Sequence, residues 1–341
     1  MPRPTPAGAA TNERPQPDLA GISLAEIRAA QERIRGSAVQ TPLIRLPLDS
    51  AADASPEVWL KLENLQPIGS FKLRGALNAI RSLPPDELAN GVYTASAGNM
   101  AQGVAWGARE LGIPCVVLVP DHAPQTKLQA ITRLGARFEK LPFAEWWQVL
   151  VDNGRAGMPG AFIHPVANRA VIAGNGTVGI EIAEALPDVS SVFVPYGGGG
   201  LATGIATALR ALAPRAAVWA CEVDTAAPLA ASFRAGSAVS VDYTPSFVDG
   251  IGGRSVLPVI WPLASTLLAG SRVVRVEDAR AAVRQLANRA RVVAEGAGAT
   301  AVAAALAFAK PGERVVCVVS GGNIDTAVFA NILLETVAPF L

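Results

Sequence analysis

The chain has 341 residues, half of them apolar, and its formal net charge is +1. This length is ample for a large hydrophobic core and allows two domains or two lobes. Charged residues are sparse and nearly balanced, and no basic stripe or basic amphipathic segment stands out, which argues against nucleic-acid-binding and membrane-surface proteins. No apolar run in the sequence reaches the length that spans a membrane.

The N-terminal segment and the cysteines bear on the cellular compartment. Residues 1–18 are rich in Pro, Ala and polar residues and lack an apolar h-region, so we predict a disordered tail and not a signal peptide. Cys115, Cys221 and Cys317 lie far apart, each in an apolar, strand-like run. This pattern predicts buried free thiols in a reducing cytoplasm.

From residue 24 onward, strand-like and helix-like patterns alternate along the chain. We predict helices at residues 24–35, 76–80, 125–134, 143–152, 170–186, 278–290 and 297–309, with further helices that end at 111, 212 and 339. We predict strands at residues 58–62, 92–95, 113–119, 137–141, 191–196, 217–222, 273–276 and 314–319, after an extended segment at 41–48. Such alternation predicts an α/β fold in which helices cover both faces of a parallel sheet.

The stretch at residues 69–76 joins the first strand to the helix after it. Ser70 is a plausible N-cap, which places Lys72 in or near the first turn, beside a second cation, Arg74. The positive end of the helix dipole and the neighbouring cation favour a neutral amine at Lys72. A neutral lysine amine is what a Schiff base requires. The alternative is an ordinary solvated lysine.

Four consecutive glycines, Gly197 to Gly200, separate a predicted strand from a predicted helix. Bare backbone amides at a helix N-terminus bind phosphate well, whereas a simple flexible turn requires only one glycine. The run does not match the dinucleotide motif, because Thr203 occupies its third glycine position, and no Gly-Lys-Ser/Thr follows as in a P-loop. The pattern therefore favours a phosphate-bearing cofactor other than a dinucleotide.

Two further strand ends carry polar side chains. In the loop at residues 96–103, the backbone amides and the Ser96 hydroxyl could hold a carboxylate, and the Asn99 amide could donate to a phenolate-like oxygen. Ser320 closes a very apolar strand at the end where α/β sheets place ligands, so its hydroxyl could meet a ring nitrogen. The alternative in both places is ordinary helix capping.

Taken together, these four stretches resemble the fold type II, tryptophan-synthase-β-like, pyridoxal-phosphate enzymes. The sequence is most similar to their serine/threonine dehydratase branch, which includes serine racemase, and the resemblance covers residues 24–335. The related cysteine synthases have a different lysine motif and a threonine-bearing Asn loop, so they fit less well.

The resemblance implies a residue for each part of pyridoxal 5′-phosphate. Lys72 carries the cofactor as an imine, Phe71 packs on its ring, Asn99 bonds its O3′ oxygen and Ser320 bonds the pyridine nitrogen. The implied cofactor-binding residues are Phe71, Lys72, Asn99, Gly197, Gly198, Gly199, Gly200, Leu201, Gly250, Glu295 and Ser320, of which the glycine run holds the phosphate. The implied substrate-binding residues are Ser96, Ala97, Gly98, Asn99 and Met100.

The resemblance also implies a reaction and an organisation. Lys72 removes the Cα proton of a 3-hydroxy amino acid such as L-threonine or L-serine, and β-elimination of water yields a 2-oxo acid and ammonia. The fold is two lobes: a large cofactor-binding lobe of residues 19–85 and 161–341, and a small substrate-loop lobe of residues 86–160. We expect a cytoplasmic homodimer. Feedback-regulated threonine dehydratases add a regulatory domain after the position of Ser320, whereas here about one helix follows it. We therefore expect isoleucine to have no effect on the reaction rate.

Three departures from the family pattern qualify these expectations. Racemases of the branch carry a serine at the position of Ala97, so we expect little or no racemase activity, because alanine cannot transfer a proton. The usual histidine after the Asn is Met100, which leaves the substrate open. Metal-dependent members use two carboxylates where this chain has Glu222 and Pro228. Together with the isolated histidines, His122 and His164, this leads us to expect no metal site.

Alternatives remain for substrate and function. Core packing is the favoured interpretation of Trp146 and Trp147, but if one of them lined the cleft, a bulkier substrate would fit, such as a phenylserine-like or hydroxyectoine-derived 3-hydroxy amino acid. A β-replacement enzyme and a non-catalytic amino-acid sensor share the expected fold. A nucleotide-binding Rossmann protein is disfavoured, because the glycine spacing differs and Lys72 would have no role.

Overall fold

The computed structural model describes residues 17–48 and 55–335. Its strands are β1 (Leu43–Arg45), β2 (Glu57–Leu62), β3 (Val92–Ala95), β4 (Cys115–Pro120), β5 (Arg137–Leu141), β6 (Ala161–Phe162), β7 (Ser191–Pro195), β8 (Ala217–Val223), β9 (Gly270–Val274) and β10 (Arg314–Val319). Its helices are α1 (Leu24–Ile34), α2 (Lys72–Arg81), α3 (Pro85–Leu88), α4 (Asn99–Leu111), α5 (Gln125–Arg133), α6 (Phe143–Val151), α7 (Arg169–Ala185), α8 (Gly200–Leu212), α9 (Pro228–Ala235), α10 (Trp261–Leu267), α11 (Val276–Gln285), α12 (Gly296–Phe308) and α13 (Thr326–Leu334).

The strands form two sheets. The larger sheet has the order β1-β2-β10-β7-β8-β9, and the smaller has the order β5-β4-β3-β6. All neighbouring strands run parallel except β1, which runs antiparallel to β2. The predicted α/β fold with two mainly parallel sheets is therefore confirmed.

Each sheet is covered on both faces, as parallel sheets require. In β10, Val316 and Val318 pack with α7 and α8, whereas the alternating residues Val315, Cys317 and Val319 pack with α11 and α12. The first three turns of α12 are buried on all sides, which suits their Gly- and Ala-rich sequence. The interior strands β4, β7 and β10 are therefore near-continuous apolar runs instead of alternating polar and apolar residues.

The division into lobes stays a prediction, with one structural detail beside it. The chain runs from β2 into α2, forms the smaller sheet, and returns to the larger sheet through α7. The smaller sheet extends past residue 160, because β6 pairs with β3. Helix α2 packs against both α4 and α7, so it lies where the helices of the two sheets meet.

Several element predictions were wrong in detail. Helices α3, α9 and α10 and strand β6 were not predicted, and all four are short. The three helices each carry proline in their first turn, where its missing N–H costs nothing. Strand β9 begins at Gly270, three residues before the predicted start, and α11 ends in a π turn at residues 286–290. The predicted tail lies outside the described residues except for Pro17 and Asp18. The last helix ends at Leu334, and residues 336–341 lie outside the description.

The three cysteines are buried and free, as predicted. No helix among residues 17–48 and 55–335 combines the length and the apolar character needed to cross a bilayer.

A buried ion network fixes α2 against β2 and α7. The Arg74 guanidinium donates to Glu63 at 2.8 Å and to Glu181 at 2.6 Å, and Lys61 donates to Glu181 and to the Thr41 carbonyl. The four charged side chains of this network are all at most 5% exposed. Burial raises the pKa of Glu63, but Arg74 and Lys61 hold that pKa below its usual value. The charges are therefore mutually dependent.

Replacing Arg74 tests that dependence. We expect Arg74→Leu to lower the free energy of unfolding by about 3–5 kcal/mol, because two buried carboxylates lose their main partner. Urea denaturation measures this change. The matched control is Arg35→Leu, which removes an exposed pair with Glu32 and should cost less than about 1 kcal/mol. Equal losses in the two variants would contradict the network's importance.

Candidate active site

Four loops at the carboxyl ends of β2, β3, β7 and β10 meet around one cavity, at the edge where α/β sheets bind ligands. The cavity has a volume of about 290 Å³. All of the predicted cofactor-binding residues line it: Phe71, Lys72, Asn99, Gly197, Gly198, Gly199, Gly200, Leu201, Gly250, Glu295 and Ser320. Residues that lie up to 249 positions apart in sequence therefore share one small space.

The predicted substrate loop also reaches this cavity, with one exception. Ser96, Gly98, Asn99 and Met100 line it, whereas Ala97 is half-buried against the hydrophobic cluster behind the loop and is not a lining residue. The Ser96 hydroxyl accepts a hydrogen bond from the Gly98 amide at 3.3 Å, and α4 begins at Asn99. The loop thus presents the N-terminus of α4 to the cavity. The binding roles of these residues stay predictions.

The lysine loop and the serine turn are joined by backbone hydrogen bonds. The Phe71 amide donates to the Ser320 carbonyl at 3.0 Å, and the Gly322 amide donates to the Gly69 carbonyl at 2.9 Å. The prediction of Ser70 as N-cap was wrong: Phe71 occupies that position, and Ser70 Oγ accepts from the Lys72 amide at 3.4 Å. Because Ser70 pairs with Gly321, its backbone belongs to a bridge between the two loops.

Lys72 is half-buried, and its Nζ donates to the Pro165 carbonyl at 3.0 Å. Burial lowers its pKa to about 8, while the nearby Glu295 opposes this shift. The predicted lowering is confirmed, but Arg74 was wrongly named as a cause. Its guanidinium is directed away from the cavity into the ion network with Glu63 and Glu181. Desolvation is therefore the main influence on the amine.

A relay of two side-chain amides, those of Asn323 and Asn99, leads to Glu295, which also lines the cavity. Asn323 Nδ2 donates to Asn99 Oδ1 at 2.8 Å, so the Asn99 NH₂ group faces Glu295 and donates to it at 3.0 and 3.2 Å. Burial raises the pKa of Glu295 to about 7, and Asp249 adds to this rise, whereas the Asn99 donation lowers it. Asn323, three residues after Ser320, was not among the predicted site residues.

The glycine run forms a bare wall. A Cβ added to Gly198 would lie 2.4 Å from Val166 Cγ2, and Gly199 has a φ of +94°, a conformation that side chains rarely adopt. Helix α8 begins at Gly200, and its N-cap glycine has no side chain to accept from the first amides. These amides suit an anion at the cavity end of α8.

An ion pair at the mouth of the cavity was missed. Lys127 Nζ on α5 donates to Asp249 Oδ2 at 2.7 Å, and both residues line the cavity. The pair joins a helix beside the smaller sheet to a loop beside the larger sheet. No local motif marks either residue, because 122 positions separate them.

Glu222, Trp146 and Trp147, whose roles the sequence left open, lie outside the cavity lining. Glu222 accepts from the amides of Leu229 and Ala230, each at 2.8 Å, and from Ser271, so it caps the start of α9.

Trp146 is half-buried and its Nε1 donates to a backbone carbonyl at 3.1 Å, and Trp147 is 42% exposed. Neither tryptophan lines the cavity. In the part of the chain that the structure describes, no group of three or more His, Cys, Asp or Glu residues is arranged to hold a metal.

The donor set fits a phosphate ester that carries an aldehyde. Bare helix amides match the phosphate, and a partly neutral primary amine matches the aldehyde carbon. The Ser320 hydroxyl and the Asn99 amide supply neutral hydrogen-bonding groups between these two ends.

Comparison with known proteins agrees with this chemistry. Residues 34–321 match the family described as pyridoxal-phosphate dependent enzyme. The chain belongs to this family. It is 38% identical over 316 residues to a protein named L-threonine ammonia-lyase from Thermotoga maritima, which covers 92% of this chain and 78% of the relative. The cofactor of this family member is pyridoxal phosphate, as predicted.

Solved structures show the same fold. A processed form of threonine deaminase isoform 2 from Solanum lycopersicum superposes with a TM-score of 0.83 at 29% identity, covering 98% of this chain and 100% of that one. Maize serine racemase superposes with a TM-score of 0.82 at 29% identity, covering 91% and 96%. The predicted tryptophan-synthase-β-like architecture and the resemblance to the dehydratase branch are both confirmed.

The lowered pKa of Lys72 can be measured directly. In cofactor-free protein, we expect the rate at which an acylating reagent labels the Lys72 amine to increase with pH. The midpoint of this increase should lie near pH 8, because burial disfavours the ammonium form. Peptide mass spectrometry reports the labelled fraction. The variant Glu295→Gln should move the midpoint lower, since the carboxylate stabilises the ammonium above pH 7. A midpoint near 10.5, the ordinary value for lysine, would contradict the assignment.

Proposed function

We propose that the chain is a pyridoxal-phosphate-dependent ammonia-lyase that converts a 3-hydroxy amino acid, such as L-threonine or L-serine, to a 2-oxo acid and ammonia. The observation that carries this proposal is the half-buried Lys72 side chain, with its pKa near 8, which lines the same small cavity as a helix N-terminus of bare glycine amides. The similarity to a protein named L-threonine ammonia-lyase supports the choice of reaction.

We propose that Lys72 and the glycine run hold the two ends of the cofactor. The first amides of α8, from Gly200 and Leu201, bind the phosphate, and Phe71 lies against the ring. Asn99 and Ser320 bind the polar edge of the ring, and the relay from Asn323 fixes which end of the Asn99 amide faces inward. Gly250 allows close packing against Ala297 at the cavity wall, because a Cβ there would lie 2.9 Å from Ala297 Cβ.

The reaction requires a base at Cα and a fixed substrate carboxylate. When bound, the cofactor supplies an electron sink that stabilises the charge left at Cα when its proton is removed. Lys72 Nζ is the base that accepts this proton, since its pKa near 8 makes its neutral fraction far larger than that of an ordinary lysine at the same pH. The N-terminus of α4, from Ser96 to Met100, binds the carboxylate through backbone amides.

Location and assembly are part of the same proposal. Three buried free thiols are in keeping with a reducing compartment, so we place the enzyme in the cytoplasm. The family resemblance favours a homodimer. We favour a substrate of threonine or serine size over a bulkier one, because neither Trp146 nor Trp147 faces the cavity.

Ammonia release tests the reaction and its base. We expect purified enzyme to release ammonia from L-threonine or L-serine, and Lys72→Ala to lower the rate by at least about 10³-fold, through loss of the base and of the cofactor attachment. Enzyme-coupled detection of ammonia measures the rate, with bulkier 3-hydroxy amino acids assayed in parallel. Formation of a new amino acid when thiol is added, in place of the 2-oxo acid, would indicate β-replacement instead.

The stereochemical outcome tests the role of position 97. We expect elimination with little or no racemisation, because the Ala97 methyl group cannot deliver a proton to the second face of Cα. Chiral chromatography of residual serine during turnover measures this. Interconversion of the two enantiomers at a rate comparable to elimination would refute the expectation.

A further inference from the structure

His164 is a buried residue that neither the motifs nor the proposed chemistry uses. It follows β6 and is 5% exposed, and it is not among the residues that line the cavity. The next residue, Pro165, provides the carbonyl that accepts from Lys72 Nζ at 3.0 Å. The imidazole is thus one residue away from the direct partner of the central amine.

The imidazole holds the backbone that follows it. Its Nδ1 accepts from the amides of Val166 at 3.0 Å and Ala167 at 2.7 Å. Because Nδ1 accepts two hydrogen bonds, the ring is neutral and carries its hydrogen on Nε2. Burial lowers the pKa of His164 to about 4, and a hydrogen bond to the backbone of Leu150 on α6 opposes this shift. The ring therefore stays an acceptor across the physiological pH range.

The turn at residues 165–167 contacts both ends of the proposed cofactor site. Its Pro165 carbonyl meets the Lys72 amine, and its Val166 side chain packs so closely on the glycine run that no Cβ would fit at Gly198. Val166 also lines the cavity. A displacement of this turn would therefore move the partner of the amine and the support of the phosphate loop together.

We propose that His164 is a positioning residue, whose Nδ1 locks the 165–167 turn and thereby holds the Lys72 amine and the glycine run in a fixed relation. This role rests on the proposed function of Lys72 as the cofactor lysine. His164 touches neither the cofactor nor the substrate in this scheme; it acts through Pro165 and Val166.

The geometry suggests a matched set of variants. An asparagine at position 164 can place Oδ1 where Nδ1 lies and accept from the amides two and three residues ahead, as Asn does in turns and helix caps. Leucine offers similar bulk without an acceptor, and glutamine offers an acceptor with a different reach. The second histidine, His122, is exposed and lies beside Asp121, so His122→Leu controls for loss of a histidine.

The experiment measures cofactor affinity and not activity. Each full-length holoenzyme is dialysed against graded concentrations of pyridoxal 5′-phosphate, and bound cofactor is determined from protein-bound phosphorus and from absorbance. We expect His164→Leu to raise the dissociation constant at least about tenfold, whereas His164→Asn and His122→Leu stay within about threefold of the wild type. If His164→Leu does not fold, His164→Gln takes its place, because its amide oxygen lies one bond further from Cα than Nδ1 and does not reproduce that acceptor.

The other outcomes are decisive as well. Wild-type affinity in His164→Leu, or in its substitute His164→Gln, would overturn the proposal, and so would an equal loss in His164→Asn and His164→Leu, since the acceptor would then not matter. Failure of the proposed function is separate: in that case the wild type would bind no cofactor, or Lys72→Ala would retain covalent attachment after borohydride reduction.

Discussion

The rest of the structure depends on the buried ion pairs that Arg74 forms with Glu63 and Glu181. Arg74 lies on the helix that Lys72 begins, and it binds carboxylates from the end of β2 and from α7. Separating these charges inside the protein would cost far more than their contact gains over water, so α2 has one position between the two elements. The backbone bonds between the lysine loop and the Ser320 turn then fix where the first turn of α2 meets the cavity.

Burial, more than any single neighbouring charge, sets the chemistry of the site. It lowers the pKa of the Lys72 amine and raises the pKa of the Glu295 carboxyl, so both groups favour their neutral forms more than they would in water. The charged partners modulate this effect. Glu295 acts on Lys72, and Asp249 and Lys127 act on Glu295. The site is thus a small, partly desolvated space in which nearby dipoles have large effects.

The sequence was informative where chemistry depends on contiguous residues. The lysine stretch, the glycine run and the Ser320 turn are local patterns, and the residues predicted from them line one cavity. It was uninformative where the contact is made by distant residues. Nothing near Lys127 predicts Asp249, and nothing near His164 predicts that its ring supports the turn beside Lys72. The cause of the Lys72 pKa shift was misjudged for the same reason, because the partners of Arg74 lie 11 and 107 positions away. Short helices that begin with proline were also missed.

The exposure of the Lys127–Asp249 pair makes the contact at this edge of the cavity sensitive to salt. The two side chains are 36% and 56% exposed, so water competes for both charges and the contact is worth less than about 1 kcal/mol. The helix that carries Lys72 is held by buried charges, whereas this edge of the cavity is bridged by a contact that dissolved salt weakens. An increase in ionic strength therefore weakens the contact at this edge of the cavity and leaves the buried ion network on the helix of Lys72 intact.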